Sequence, residues 1–350
     1  MAASATGIYF RSYERESALR HTKAERVRLA AVAIALVVAP FVLTPYWLTI
    51  GNQIGIAVVG AIGLNLLTGF TGQISLGQGG FLAVGAYTSG FLVTRLGVPT
   101  LFGVVAAILV TALVGAFFGL PALRLKGLYL AIATLASQFI ILYLVRNWEF
   151  LTGGVDSLVV PSPEVLGFQL TSDFRWYWVI IAVAVLATLA ATNLVRSSIG
   201  RAFVAIRDQD VAAEVIGVEV VRYKLFAFAV SSGFVGLAGA LTAHYRNIVT
   251  WERFTLEVSI LFLAIIIVGG LGSVSGSVYG SMFMFVLPAE IQRLGTALGD
   301  TAPFISRQLP AVQLGVFGLV IILFLIFEPR GLARVWQRMR DYVRLWPFRY

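Results

Sequence analysis

The sequence predicts an all-α, polytopic membrane protein of about ten transmembrane segments, some of them short helices interrupted by glycine. Three observations predict it. Charged residues make up only 12% of the 350 and apolar ones 59%, whereas an ordinary soluble chain is about 25% charged. Mean hydropathy is +0.88. The apolar residues also gather into stretches close to the ~20 residues that a helix needs to cross a bilayer.

Taken in order, seven stretches meet that length: Val27–Thr49, Ile54–Phe70, Ile74–Thr94, Leu101–Leu120, Gly127–Val145, Trp176–Val195 and Leu225–Tyr245. An eighth, Leu309–Phe327, precedes the C-terminal tail. The apolar run Thr255–Leu287 is interrupted by Gly269-Gly270-Leu271-Gly272-Ser273. Glycine weakens a helix and permits a tight turn, so this run reads as two short segments, bringing the total to ten.

Charge placement agrees with ten. That count puts residues 1–26, the 121–126 link, the 196–224 loop and the 329–350 tail on one side of a 27–328 transmembrane domain. With Arg28 at the start of the first span, this side carries 19 of the 26 basic residues, and the positive-inside rule makes it cytoplasmic. The opposite side, including the 146–175 loop, carries the other seven. The pI near 10 follows from this membrane-flanking charge, which sets topology and meets anionic lipid. It is not a nucleic-acid footprint. The N-terminal segment is too long and too charged for a signal peptide's n-region.

Much chemistry is excluded. The chain has no cysteine, two histidines (His21 and His244) and three lysines (Lys23, Lys126 and Lys224). No lysine follows a glycine, so there is no phosphate-binding Walker loop. Metal-ligand spacings and a G-x-S-x-G elbow are also missing, and His244 reads as an interfacial residue near the end of its span. The middles of the spans hold essentially no ionisable group, although an ion-driven carrier commonly relies on one. Energy for uphill transport would enter elsewhere.

Two glycine-rich breaks share the pattern G-x-x-G-x-[IV]-S, 200 positions apart: Gly69 to Ser75 and Gly269 to Ser275. Irregular backbone at membrane depth needs cover from protein or water, and paired interrupted segments point to a substrate pathway. Close helix packing is the competing reading. Asn65, Gly72, Gln73, Ser75, Gln78, Gly272 and Ser273 are the pathway candidates. The G-x-x-x-G spacings at Gly51/Gly55, Gly115/Gly119 and Gly276/Gly280 read as packing.

The 196–224 loop changes composition abruptly. Ala202–Ile216 lacks Gly and Pro, and Gly217 supplies a helix stop. An amphipathic helix is expected, with Phe203, Ile206 and Val215 apolar. Asp208, Asp210 and Glu214 would be repelled by anionic lipid, so docking onto another protein fits better than a membrane surface.

Gly63 to Gln78 resembles the signature of permeases of the branched-chain amino acid ABC importers. Leu123 to Leu135 is similar to the M-type subunit in particular, as are Gly200-Arg201-Ala202 with Ala205 to Asp208, and the Gly269–Ser273 break. In the outer loop, Thr152-Gly153-Gly154-Val155-Asp156-Ser157 resembles a T-G-G-x-x-G segment, with Ser157 at the last glycine. The resemblance spans roughly residues 50–330. It implies a non-catalytic subunit in a bacterial inner membrane, both termini cytoplasmic. Its partners would be a second, H-type permease, two ABC ATPases holding ATP and Mg, and a periplasmic binding protein, with no cofactor on this chain. The loop helix would be the coupling helix, with Arg201, Arg207, Asp208, Ala212, Ala213 and Gly217 as its candidate residues. Ala212, Ala213 and Gly217 fit the E-A-A-x-x-x-G pattern of ABC permeases. Val211 stands where that pattern has Glu, and Arg207 or Asp208 would take over its contact. Alternating access would move branched-chain or other small amino acids inward. A urea or short-amide importer is the alternative within the family, and an ion-gradient carrier the alternative outside it.

Overall fold

The computed structural model describes residues 23–154, 156–165, 168–298, 309–328 and 331–345. Most of the expected N-terminal segment, Val155 of the T-G-G stretch and the end of the tail lie outside the described residues.

Helices α1 (Lys23–Val42) and α2 (Pro45–Asn65) open the bundle. The boundary expected between Thr49 and Ile54 falls instead at Leu43–Thr44. Thr44 is extended, and Pro45 starts α2, where a missing N–H leaves no intrahelical acceptor unfilled. A five-residue π-turn, Leu66–Phe70, prolongs α2 into a 26-residue apolar unit. The next helix, α3 (Gln78–Leu96), begins four residues later than the expected Ile74, because residues 72–77 form an irregular link that starts at the left-handed Gly72.

Helices α4 (Thr100–Gly119) and α5 (Leu128–Asn147) follow. Next come the short α6 (Glu149–Thr152) and strands β1 (Leu158–Val159), β2 (Glu164–Val165) and β3 (Phe168–Gln169). Helix α7 (Asp173–Arg196) leads into two short helices, α8 (Ser198–Asp208) and α9 (Asp210–Val215). The single loop helix expected over Ala202–Ile216 is therefore divided, because Gln209 is extended (φ −165°, ψ 109°). Helix α10 (Val220–Arg246) precedes β4 (Ile248–Val249) and α11 (Leu256–Gly269). Helices α12 (Val274–Leu298), α13 (Leu309–Phe327) and α14 (Gly331–Leu345) complete the described chain. The Thr255–Leu287 run is thus two helices, as its glycines suggest.

By length and composition, six helical units among the described residues suffice to cross a membrane: Pro45–Phe70, Thr100–Gly119, Leu128–Asn147, Asp173–Arg196, Val220–Arg246 and Val274–Arg293. The 14-residue α11 is about 21 Å long.

Hydrogen bonds at each end fix the direction of the helices. β1 pairs antiparallel with β4, Leu158 opposite Val249, and joins the two loops at one end of the bundle. At that end the Asp173 carboxylate accepts from Thr49 Oγ1 (2.6 Å) and Tyr245 Oη (3.0 Å), so α2 starts and α10 finishes beside the start of α7. Helices α8 and α9 lie at the opposite end. The core sits around α2 and α10, where Val59, Ile62, Leu64, Ala227, Phe228 and Val235 are buried. Small residues allow this closeness: a Cβ on Gly119 would stand 2.8 Å from the Cβ of Phe228. In the Gly51/Gly55 pair the close approach falls on Gly55, where a Cβ would overlap the Ile180 side chain, whereas Gly51 has room for one. His244 is not interfacial. It is buried and shares a 2.8 Å hydrogen bond with Ser89.

Candidate functional site

The two glycine-rich breaks, 200 positions apart in sequence, meet in the fold. Neither lies midway along the bundle. Both sit at the α8–α9 end, where α2 finishes its π-turn and α11 gives way to α12. Each turns through a glycine in the left-handed region, Gly72 at φ +71° and Gly272 at φ +73°. The paths around them differ. The first break is a π-turn followed by an irregular link over residues 72–77, and the second is a tight turn between two helices.

Asn65 clamps the breaks together. Its Oδ1 accepts the Gly272 N–H at 2.9 Å. Its Nδ2 donates to Ser273 O (2.8 Å) and Ser277 Oγ (2.9 Å), with Gly270 O further off at 3.4 Å. The side chain is buried, so every polar group of the amide is satisfied inside protein, as burial requires. A Cβ on Gly69 would overlap both Asn65 and the Gly272 backbone.

The other candidates in the first break are also turned inward. Gln78 Nε2 donates to Gly60 O (3.0 Å), and Ser75 Oγ accepts the Gly77 N–H (3.3 Å). Gln73 Nε2 donates to Thr71 Oγ1 (3.0 Å), while its buried Oε1 has no partner. Gly79 N–H donates to Ser259 Oγ (2.8 Å), which in turn donates to Gln138 Oε1 (2.6 Å) and ties α3 to α11 and α5. Of the seven pathway candidates, Gly72 and Gln73 border a cavity. It measures about 270 Å³ and lies between the first break and residues Lys126, Arg207, Asp208, Asp210 and Lys224.

The loop reaches this cluster through Arg207. Its Nη1 donates to Gly69 O at 3.1 Å, and an added Cβ on Gly272 would sit 3.0 Å from that same nitrogen. Nε and Nη2 donate to Asp208 Oδ1. Arg207 therefore reaches from α8 to both breaks through Nη1, while the rest of the guanidinium lies beside the exposed Asp208, with the Arg207 side chain 39% exposed. Arg201 lies apart, donating to Arg196 O. On α8 the apolar face expected from the sequence is covered, with Phe203 and Ile206 buried. On α9 Ala213 is buried, whereas Val211, Val215 and Ile216 are exposed. Gly217, at φ +89°, ends α9, and Val218 N–H bonds back to Ala213 O, as a glycine-terminated helix does.

Asp210 anchors α9. Lys126 Nζ lies 2.7 Å from its Oδ2 and Lys224 Nζ 3.2 Å. The hydrogen bond from Lys126 holds this carboxyl below its ordinary pKa, partial burial opposes that shift, and Lys224 adds to it. The sequence reading overlooked this triad, although Lys126 and Lys224, two of only three lysines, both lie in segments expected on the same side as the loop. Among the described residues no group of three or more His, Asp or Glu side chains is placed to hold a metal.

The family described as the branched-chain amino acid transport system permease component matches residues 46–325. The chain belongs to this family. Over 335 residues it is 30% identical to the high-affinity branched-chain amino acid transport system permease proteins LivM of Salmonella typhimurium and Escherichia coli. Each of those alignments covers 89% of this chain and 75% of the relative. It is also 25% identical over 297 residues to the probable permease LivH of Methanocaldococcus jannaschii, covering 80% of this chain and 89% of that one. No solved structure matches. The chain is accordingly a multi-pass membrane permease of the branched-chain amino acid ABC transporter family.

Proposed function

We propose that this chain is the M-type transmembrane subunit of an ABC importer, moving branched-chain amino acids inward by alternating access. In this reading ten helices (α1–α5, α7 and α10–α13) cross the inner membrane, with both termini and the α8–α9 end cytoplasmic. An H-type permease stands beside it, a periplasmic binding protein delivers substrate, and two ATPases hold ATP and Mg.

One observation carries the coupling mechanism: the Arg207 bridge from α8 to Gly69. A permease without an ATP site can use ATP only if a partner's movement is passed on by contact. The exposed Val211, Val215 and Ile216 of α9 offer an apolar seat for such a partner, and Asp210 fixes α9 to the ends of the neighbouring helices. Displacement of the pair would pull on the Gly69 carbonyl and so on the Asn65 clamp. The breaks then act as a pivot, and the cavity beside Gly72 and Gln73 as the inner mouth of the pathway. Two arrangements of this pivot, biased by the partner's nucleotide state, satisfy what a switch requires.

The test is Val215→Glu with Ile216→Glu, co-expressed with the second permease, the ATPases and the binding protein. Loss of co-purifying ATPases and of leucine uptake, with the chain still inserted and paired with its second permease, is the expected result. Undiminished ATPase capture and uptake would sink the coupling assignment.

A further inference from the structure

The second cytoplasmic-end helix, α14, differs in character from α8 and α9. Over residues 332–339, at about 3.6 residues per turn, Leu332, Val335, Trp336 and Met339 fall on one side and Arg334, Gln337 and Arg338 on the other. The whole helix carries four arginines and a single acid, Asp341. Its start is firmly seated. Gly331, at φ +70°, rests on the second break, where an added Cβ would lie 2.5 Å from Gly270 N. Ala333 is buried, and the Trp336 ring lies 6.2 Å from that of Tyr279. Arg338 Nη1 donates to Glu328 Oε2 at 2.9 Å and sets the turn out of α13.

Beyond that seat the apolar side is open among the described residues, with Trp336 51% and Met339 57% exposed. This side begins a few residues after the exposed apolar surface of α13, which includes Leu319, Ile322, Ile326 and Phe327. An apolar stripe bearing Trp, set against arginines, and entered directly from a membrane-spanning helix, matches a helix lying in the headgroup layer. Excess positive charge at a cytoplasmic surface is drawn to anionic lipid. The acids Asp208, Asp210 and Glu214 give α8–α9 the opposite preference.

We propose that α14 is an interfacial helix bound to the anionic lipid surface of the cytoplasmic leaflet. Trp336 and Met339 enter the acyl boundary, and arginines meet the headgroups. Because Gly331 abuts Gly270, this attachment also holds the second break in register with the bilayer.

The absence of cysteine permits a clean test on the full chain. Met339→Cys and Gln337→Cys, each labelled with an environment-sensitive fluorophore, are placed in nanodiscs of brominated phosphatidylcholine with or without phosphatidylglycerol. The measurement is made with and without the co-purified partner subunits. Bromolipid should quench the probe at 339 several times more than the probe at 337, more strongly with phosphatidylglycerol, and equally with partners bound. Arg334→Gln, Arg340→Gln and Arg344→Gln together should remove the phosphatidylglycerol effect. Equal quenching at the two positions would overturn the proposal. Loss of the 339 signal on partner assembly would assign this face to protein instead, and indifference to phosphatidylglycerol would refute the anionic-lipid contact.

Discussion

Asn65 accepts the backbone N–H of Gly272 at 2.9 Å across a separation of 207 residues. With the same side chain's bonds to Ser273 O and Ser277 Oγ, this makes one amide the fastening between the two glycine-rich breaks. Replacing it with alanine would leave Gly272 N–H and two acceptors short of partners, in a place water reaches poorly. An unsatisfied buried group costs about 1–3 kcal/mol, so Asn65→Ala should destabilise the chain by roughly 2–5 kcal/mol. Thermal unfolding in detergent would register this as a clear fall in midpoint. A midpoint equal to that of the parent would mean that the breaks are held together by other contacts.

Gly69 and Gly97 separate steric from conformational demand. A Cβ on Gly69 overlaps Asn65 and the Gly272 backbone, whereas Gly97, in the left-handed region at φ +62°, meets nothing within 4 Å. Gly69→Ala should therefore spread the breaks and lower both yield and uptake. Gly97→Ala should cost only the strain of a left-handed alanine, about 1–2 kcal/mol. Equal behaviour of the two variants, measured by uptake per folded protein, would contradict the close approach.

Arg207→Gln removes a charged hydrogen bond to Gly69 O while leaving α8 exposed and soluble at that point. Hydrogen bonds to charged groups contribute about 1.5–3 kcal/mol, enough for a tenfold or larger change in an equilibrium that they bias. In the assembled transporter, leucine uptake should fall by about that factor, whereas the ATPases should still co-purify, because the bond removed is one within the chain. If the ATPases were lost instead, Arg207 would be a docking residue and not a link to the breaks.

Hydropathy made most of the helices legible because burial in lipid or core selects apolar residues wherever a helix crosses. It did not locate Leu43–Thr44, since the apolar run continues through that break and only Pro45 marks it. The division at Gln209 escaped for a related reason. The helical pattern from Ala202 to Ile216 has no glycine or proline, and the break comes from tertiary anchoring of Asp210 by Lys126 and Lys224. The repeated glycine pattern did point to a pair of special turns. That they touch one another and Arg207 at one end of the bundle, and do not face one another at its midpoint, required the path of α2 and α11. Gln73, Ser75 and Gln78 stood out as polar residues in an apolar setting, yet their hydrogen bonds are internal, a partner choice that composition cannot express.

Acid should release α9. The folded-state pKa of Asp210 lies below the ordinary value for an aspartate, chiefly through the hydrogen bond from Lys126, opposed by partial burial and assisted by Lys224. Its contribution is therefore present in full above the unfolded-state value and is lost as pH falls below about 4 and through the lowered folded-state value. Lys126 is 65% exposed, so solvent screens what its pairing adds to stability, whereas Lys224 is 8% exposed and depends on this carboxylate for its counter-charge. Hydrogen exchange across residues 209–218 should stay slow from neutral pH to about 5 and rise in stronger acid, after correction for intrinsic rates. Asp210→Asn should exchange rapidly at neutral pH and show no further acid transition. If that variant retained the transition, α9 would be held by something other than the lysine clamp.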